Sequence, residues 1–278
     1  RNRGFDDNLA VAPDTGRYLD PCLPTANMNP WRHRWLFLAL IEREIRNRYV
    51  GSLAGLFWAL VHPLVLLGVY AAVFATIFRV QLPGNQLFVT FVALALWPWL
   101  AFQESVQRGA HAVRAHGSLV RKVAFPHELL VLSAVAATFA VHLFGYALVL
   151  LVLGLSGIGL AWGGIPQAAA ALAALFVLAL AGGLALGALQ VFVPDTEQFL
   201  APAFMVLFYA TPVLYPLSIA PDWLQAILAW NPLRYLIEPI RDGLASGGAW
   251  PAWPVWALWL AALPLLGGAL ALFRRLSP

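Results

Sequence analysis

The chain has 278 residues, of which 61% are hydrophobic and 11% charged, with a formal net charge of +4. A soluble globular domain carries roughly 25% charged residues, so the composition excludes that class. Nor does the positive excess point to nucleic acid, because the arginines flank apolar segments, the pattern of topology control. The single cysteine, Cys22, excludes an intramolecular disulfide and a cysteine-rich metal site.

In chain order, residues 1–30 are polar and rich in Pro, Asp and Asn. They lack the apolar core of a signal peptide and are expected to form a flexible N-terminal segment. Residues 31–50 place Trp31, Trp35, Leu38, Ile41, Ile45 and Tyr49 at spacings of three or four. Arg32, Arg34, Glu42, Arg43, Arg46, Asn47 and Arg48 occupy much of the remaining surface. This predicts an amphipathic helix in the membrane interface, either a simple anchor or a helix that receives force from a cytoplasmic partner.

From residue 51 to 278 the chain reads as one membrane domain. Six spans are predicted, near 53–78, 87–105, 129–153, 166–193, 199–218 and 251–273. Each is apolar for about 17 residues or more, enough to cross a hydrocarbon core about 30 Å thick. The strongest signal is residues 129–194, sixty-six positions without an Asp, Glu, Lys or Arg, broken by the glycine-rich stretch 154–164. The second span contains Trp97-Pro98-Trp99 and reaches Gln103 and Glu104, so it is expected to be kinked or irregular. Between the fifth and sixth spans, Asp222–Trp230 and Leu233–Leu244 look like two short helices broken at Asn231-Pro232. Neither is long enough to span, so a re-entrant external pair is expected over about 219–247. Capping of the bundle and gating of an exit are both compatible with such a pair.

Leaving aside the distant Arg1, Arg3 and Arg17, eleven Lys and Arg fall before the first span, between the second and third and after the last, against Arg79, Arg234 and Arg241 on the other side. The richer side is expected to be cytoplasmic, with both termini inside. The twelve Trp, many at segment ends, suit the aromatic belts of the headgroup region.

Catalytic chemistry is largely excluded. Lys122 is the only lysine and follows Arg121, so no P-loop exists. The six histidines form no metal-ligand spacing, and no metal site is expected. Gly154-Leu155-Ser156-Gly157 matches the nucleophile motif of rhomboid proteases, but the last predicted span holds no histidine to act as base. Ionisable groups within spans are scarce. His62 and His142 lie well inside, and Glu104 sits at an inner end with Arg108 four residues on, which disfavours an ion-coupled carrier.

These elements together resemble the membrane subunit of ABC exporters for polysaccharides and polyol phosphates. The resemblance is carried by Leu40-Ile41-Glu42-Arg43-Glu44-Ile45-Arg46-Asn47-Arg48-Tyr49 running into Gly51–Leu60 and His62-Pro63-Leu64. Leu119–Pro126, Tyr209-Ala210-Thr211-Pro212-Val213-Leu214-Tyr215-Pro216 and Trp230-Asn231-Pro232-Leu233 complete it. The family often has Arg-Asp after the fourth span, where this chain has Pro194-Asp195.

The resemblance implies an all-α homodimer of six-span subunits that work with two nucleotide-binding ATPase subunits. ATP and Mg would be bound by those partners, and no cofactor is expected in this chain. The implied cargo is an undecaprenyl-diphosphate-linked glycan crossing a bacterial inner membrane through a channel at the dimer interface. O-antigen is the first expectation; teichoic acid or capsular polysaccharide is the alternative. A drug or small-lipid ABC permease, a secondary transporter and an intramembrane enzyme are more distant readings.

Site residues follow as expectations. Glu42, Arg43, Arg46, Arg48, Arg114, Arg121 and Lys122 would form the ATPase-coupling surface. Arg32, Arg34, Arg43 and Arg46 would attract the lipid diphosphate, or membrane lipids generally. Trp58, Phe74, Phe204, Phe208, Tyr209 and Tyr215 would line the channel. Trp230, Asn231, Pro232 and Arg234 would form the external gate.

Overall fold

A computed structural model describes residues 34–49, 55–80, 82, 87–117, 125–157, 160–247 and 253–276. The described residues form helices joined by turns, with no strand among them. α1 spans Arg34–Tyr49. α2 spans Gly55–Ala71 and continues as one π-helical stretch, Ala72–Ile77. α3 is Phe88–Ala115, α4 Glu128–Leu155, α5 Ile165–Phe192 and α6 Thr196–Tyr209. α7 is Asp222–Leu228, α8 Arg234–Ser246 and α9 Trp253–Leu276. Five helical stretches, α2 with its π extension, α3, α4, α5 with the turn before it, and α9, are long and apolar enough to cross a membrane.

α3 is the axis of the bundle. It packs against α2, α4, α5 and α8, and residues Val92–Trp99 are almost completely buried. At Trp97-Pro98-Trp99 the helix is not broken, and α3 runs on as one helix of 28 residues. Pro98 has no N–H to give the carbonyl four residues earlier, that of Leu94. The buried Tyr146 of α4 supplies the missing donor, its hydroxyl donating to Leu94 O at 2.9 Å. A neighbouring helix thus satisfies the backbone group that proline frees, as a membrane interior requires.

Small residues let α3, α4 and α5 approach closely. A Cβ on Gly109 would lie 2.7 Å from Val135 Cγ2 and 3.0 Å from the Gly183 Cα. Without a hydrophobic drive between helices in lipid, such close van der Waals packing is a main source of helix association. At the other end of α5, a Cβ on Gly164 would fall 1.7 Å from Gly243 O, so the start of α5 rests directly on the α8 backbone.

Two expectations change. The fifth predicted span is helical only over 14 residues, about 21 Å, and is followed by turns from Ala210 to Tyr215. Pro212 and Pro216 remove backbone donors just where the helix would continue. The predicted apolar stripe of α1 also divides between two faces. Trp35 and Leu38 are 72% and 55% exposed, while Leu40 is buried and Phe37 packs on the core. α1 lies against α4, and Glu44 and Arg48 turn inward because they find partners on α3, His116 and Glu104.

Candidate functional site

The inner end of the bundle, the end that carries α1, is held by carboxylates that each join two or more helices. Glu104 of α3 is the centre. Its Oε1 accepts from Arg48 of α1 and from Arg108 Nε at 2.9 Å. Its Oε2 faces His142 Nε2 of α4 at 2.7 Å. A charge this deep in a span is costly unless paired, and three basic groups pair it. A second contact joins the same helices, His116 Nε2 of α3 lying 3.4 Å from Glu44 Oε1 of α1. On the other side of α3, Glu197 of α6 lies 3.5 Å from Arg114 Nη1 and 3.8 Å from His111 Nδ1. Gln190 Nε2 of α5 lies 2.9 Å from His111 Nδ1. Glu128 at the start of α4 accepts from Arg274 Nε of α9 at 3.0 Å. A cleft of about 540 Å³ lies among Glu44, Arg108, His111, His116 and Glu197. α3 is therefore tied through charged side chains to α1 on one flank and α6 on the other.

The outer end is stitched with neutral groups and one buried cation. α6 stops at Tyr209, leaving carbonyls without helical partners. Asn231, between α7 and α8, donates through Nδ2 to Ala210 O at 2.6 Å and to Thr211 Oγ1 at 2.8 Å. Its Oδ1 accepts from Leu233 N at 2.9 Å, which fixes the turn into α8. Arg241 of α8 donates through Nη1 to Pro212 O at 3.0 Å, and its guanidinium sits 4.0 Å from the centroid of the Phe91 ring. The pair α7–α8 is thus bonded to the turn that ends α6.

Among the residues expected to couple to an ATPase, Glu42 and Arg46 pair with each other on the exposed face of α1, and Arg43 is exposed beside them. Arg48 turns inward to Glu104 instead, and Arg114 faces Glu197. Arg121, Lys122 and Arg32 lie outside the described residues. Arg34 stacks on Trp35 at 5.4 Å. Of the aromatic candidates, Phe204 and Phe208 are buried within the chain, Phe204 against Phe102 and Phe208 against Trp99 and Tyr70. Phe74 stacks on Phe88. Tyr215 is half-buried and donates to Tyr209 O at 2.7 Å. Trp58 and Tyr209 keep the freest faces, at 60% and 52% exposed. At the outer end Trp230 and Pro232 are exposed and Asn231 is buried, while Arg234 pairs with Glu238 at 3.1 Å.

Sequence reasoning paired Glu104 with Arg108 four residues on and placed His142 within a span, but joined neither His142 nor Arg48 to that pair. The available signal was depth: Glu104 lies eleven residues before the end of α3 and His142 fourteen after the start of α4, about 16 and 21 Å from the same end. Ser156, the rhomboid-like serine, donates to Val152 O of its own helix at 2.7 Å and is exposed.

Residues 36–245 match the family described as ABC-2 type transporter. The chain is 31% identical to the O-antigen export system permease protein RfbA of Myxococcus xanthus, over 74% of this chain and 79% of that protein. It is 26% identical to the O-antigen export system permease protein RfbA of Klebsiella pneumoniae, over 76% and 81%. To the polysialic acid transport protein KpsM of Escherichia coli it is 24% identical, over 85% and 91%. With three quarters of its length in the match, this chain belongs to the ABC-2 transporter membrane family.

Proposed function

We propose that this chain is the permease subunit of an ABC exporter for a lipid-linked polysaccharide, O-antigen first, acting as a homodimer with two separate ATPase subunits. The observation that carries the reading is the bare apolar wall on one side of the bundle. Only 11% of the most apolar stretch of α2 is buried within the chain, and Phe199, Met205, Val206 and Tyr209 of α6 are more than half exposed. A second copy placed against this wall encloses a passage between two α2–α6 pairs. Trp58 and Tyr209 then offer flat faces over which sugars slide without deep binding.

The chain has no P-loop, so ATP and Mg belong to partner subunits. α1 and the inner ends of α3 and α6 are where their closure would push. The turn 210–216 completes a sixth crossing begun by α6, α7–α8 dip in from the outer face, and both termini are cytoplasmic in a bacterial inner membrane. The two short helices at 222–246 favour this reading over a drug or small-lipid permease, for which one continuous soluble loop is expected. The polysialic acid relative supports capsule polymer as the second cargo.

The test is purification from the native membrane in mild detergent. Two copies of this chain with two of a P-loop subunit, and ATP hydrolysis in the complex, are expected. A chain that runs alone without ATPase activity overturns the proposal.

A further inference from the structure

A second cleft, of about 480 Å³, opens between the first half of α2 and residues 100–107 of α3. This is within the usual range of about 300–1,000 Å³ for ligand pockets. Trp58 and His62 stand four residues apart on one face of α2, and Gln103 and Gln107 four apart on one face of α3. Glu104 lies in the wall between them.

The hydrogen-bonding groups here divide into spent and unspent. Both Glu104 oxygens are taken by basic side chains. Gln103 Oε1 accepts from Trp99 Nε1 at 3.0 Å, which leaves its amide nitrogen to the cleft. Among the described residues, His62 and Gln107 have no side-chain partner. The free set is therefore the Gln103 amide nitrogen, the Gln107 carboxamide and the His62 imidazole, beside an indole that is 60% exposed. Polar side chains at such depth face a protein interior or a water-filled path and mark the route of a substrate.

The chemistry of this set selects the ligand. Arg48, the arginine in this lining, is paired with Glu104, so the polar side chains left to a ligand are His62, Gln103 and Gln107. A pyranose ring presents weakly positive C–H bonds to the negative face of an aromatic ring and carries hydroxyls around its rim. We infer that this cleft is a subsite for one uncharged sugar ring of the lipid-linked glycan, with Trp58 as its platform and His62, Gln103 and Gln107 as hydroxyl ligands. The inference rests on the export reading and adds to it a sugar-recognising site at the inner end.

The experiment uses the full complex with its ATPase in lipid nanodiscs. Two probes are compared, undecaprenyl diphosphate bearing one hexose and the same lipid without sugar, and the ratio of their Kd values is measured. The sugar should tighten wild-type binding about tenfold, the worth of one or two net hydrogen bonds. Trp58→Ala and Gln107→Leu should bring the ratio close to one. His62→Ala, at an exposed position, should lower it severalfold. Trp58→Phe and Gln107→Asn should retain most of it, separating loss of the subsite from loss of the fold. Unchanged ratios in the first three variants overturn the subsite. So does a wild type that binds both lipids equally well, which leaves export standing. A wild type that binds neither lipid overturns both the subsite and the export reading beneath it.

Discussion

α2 and α3 are neighbours of similar span, each with an internal proline, and they have opposite fates. The most apolar window of α3 is 72% buried, that of α2 only 11%. The less apolar helix is the core. In water this would be inverted, but lipid tails are as apolar as leucine and exert no drive to hide it. What lipid does penalise is an unpaired polar group. α3 carries Gln103, Glu104, Gln107 and a proline-freed carbonyl, and each needs protein or a wet cleft beside it. α2 stays outside the core because little on it demands cover from its own chain.

The sharpest way to break this comparison is to place one substitution in both helices. Gly109→Leu in α3 drives a side chain into Val135 and the Gly183 backbone. It should cost more than about 3 kcal/mol, beyond the usual range for overpacking, because backbone stands in the way. The detergent-solubilised protein should lose its monodisperse peak. Next in size is Glu104→Gln. It leaves Arg48 and Arg108 beside each other without their shared counter-charge, at a cost of about 3 kcal/mol or somewhat less given its partial exposure. Hydrogen exchange should quicken in α1 more than in α9, since Arg48 is a tie between α1 and the bundle. Equal protection of α1 in wild type and variant would show that this tie holds nothing.

Tyr146→Phe tests the proline repair alone. Losing one buried hydrogen bond and leaving Leu94 O unpaired should cost about 1–3 kcal/mol, read as a lower melting temperature without loss of fold. The smallest effect on the single chain belongs to Gly68→Leu in α2, where an added Cβ meets nothing within 4 Å. Its thermal stability should stay within about 0.5 kcal/mol of wild type, while recovery of the proposed dimer in mild detergent should fall. A variant as destabilised as Gly109→Leu would mean that α2 is not the free wall it is taken to be.

Membrane class and the existence of nearly every helix were legible in the residues one segment at a time. An uncharged run of span length needs no knowledge of its neighbours to be recognised. The two short helices α7 and α8 and their break at Asn231-Pro232 were legible for the same reason. The early end of α6 was not. Pro212 and Pro216 favour it, but a broken helix stands at this depth only because Asn231 and Arg241 take the freed carbonyls from another element. The site was less legible still. Arg48 and Glu104 stand 56 positions apart and Glu128 and Arg274 146 apart. Pairing them depends on the rotation of each helix about its own axis. A helix apolar on every face has no sequence pattern that sets this rotation, so small-residue contacts and buried partners between helices decide it, and these exist only once the bundle has formed.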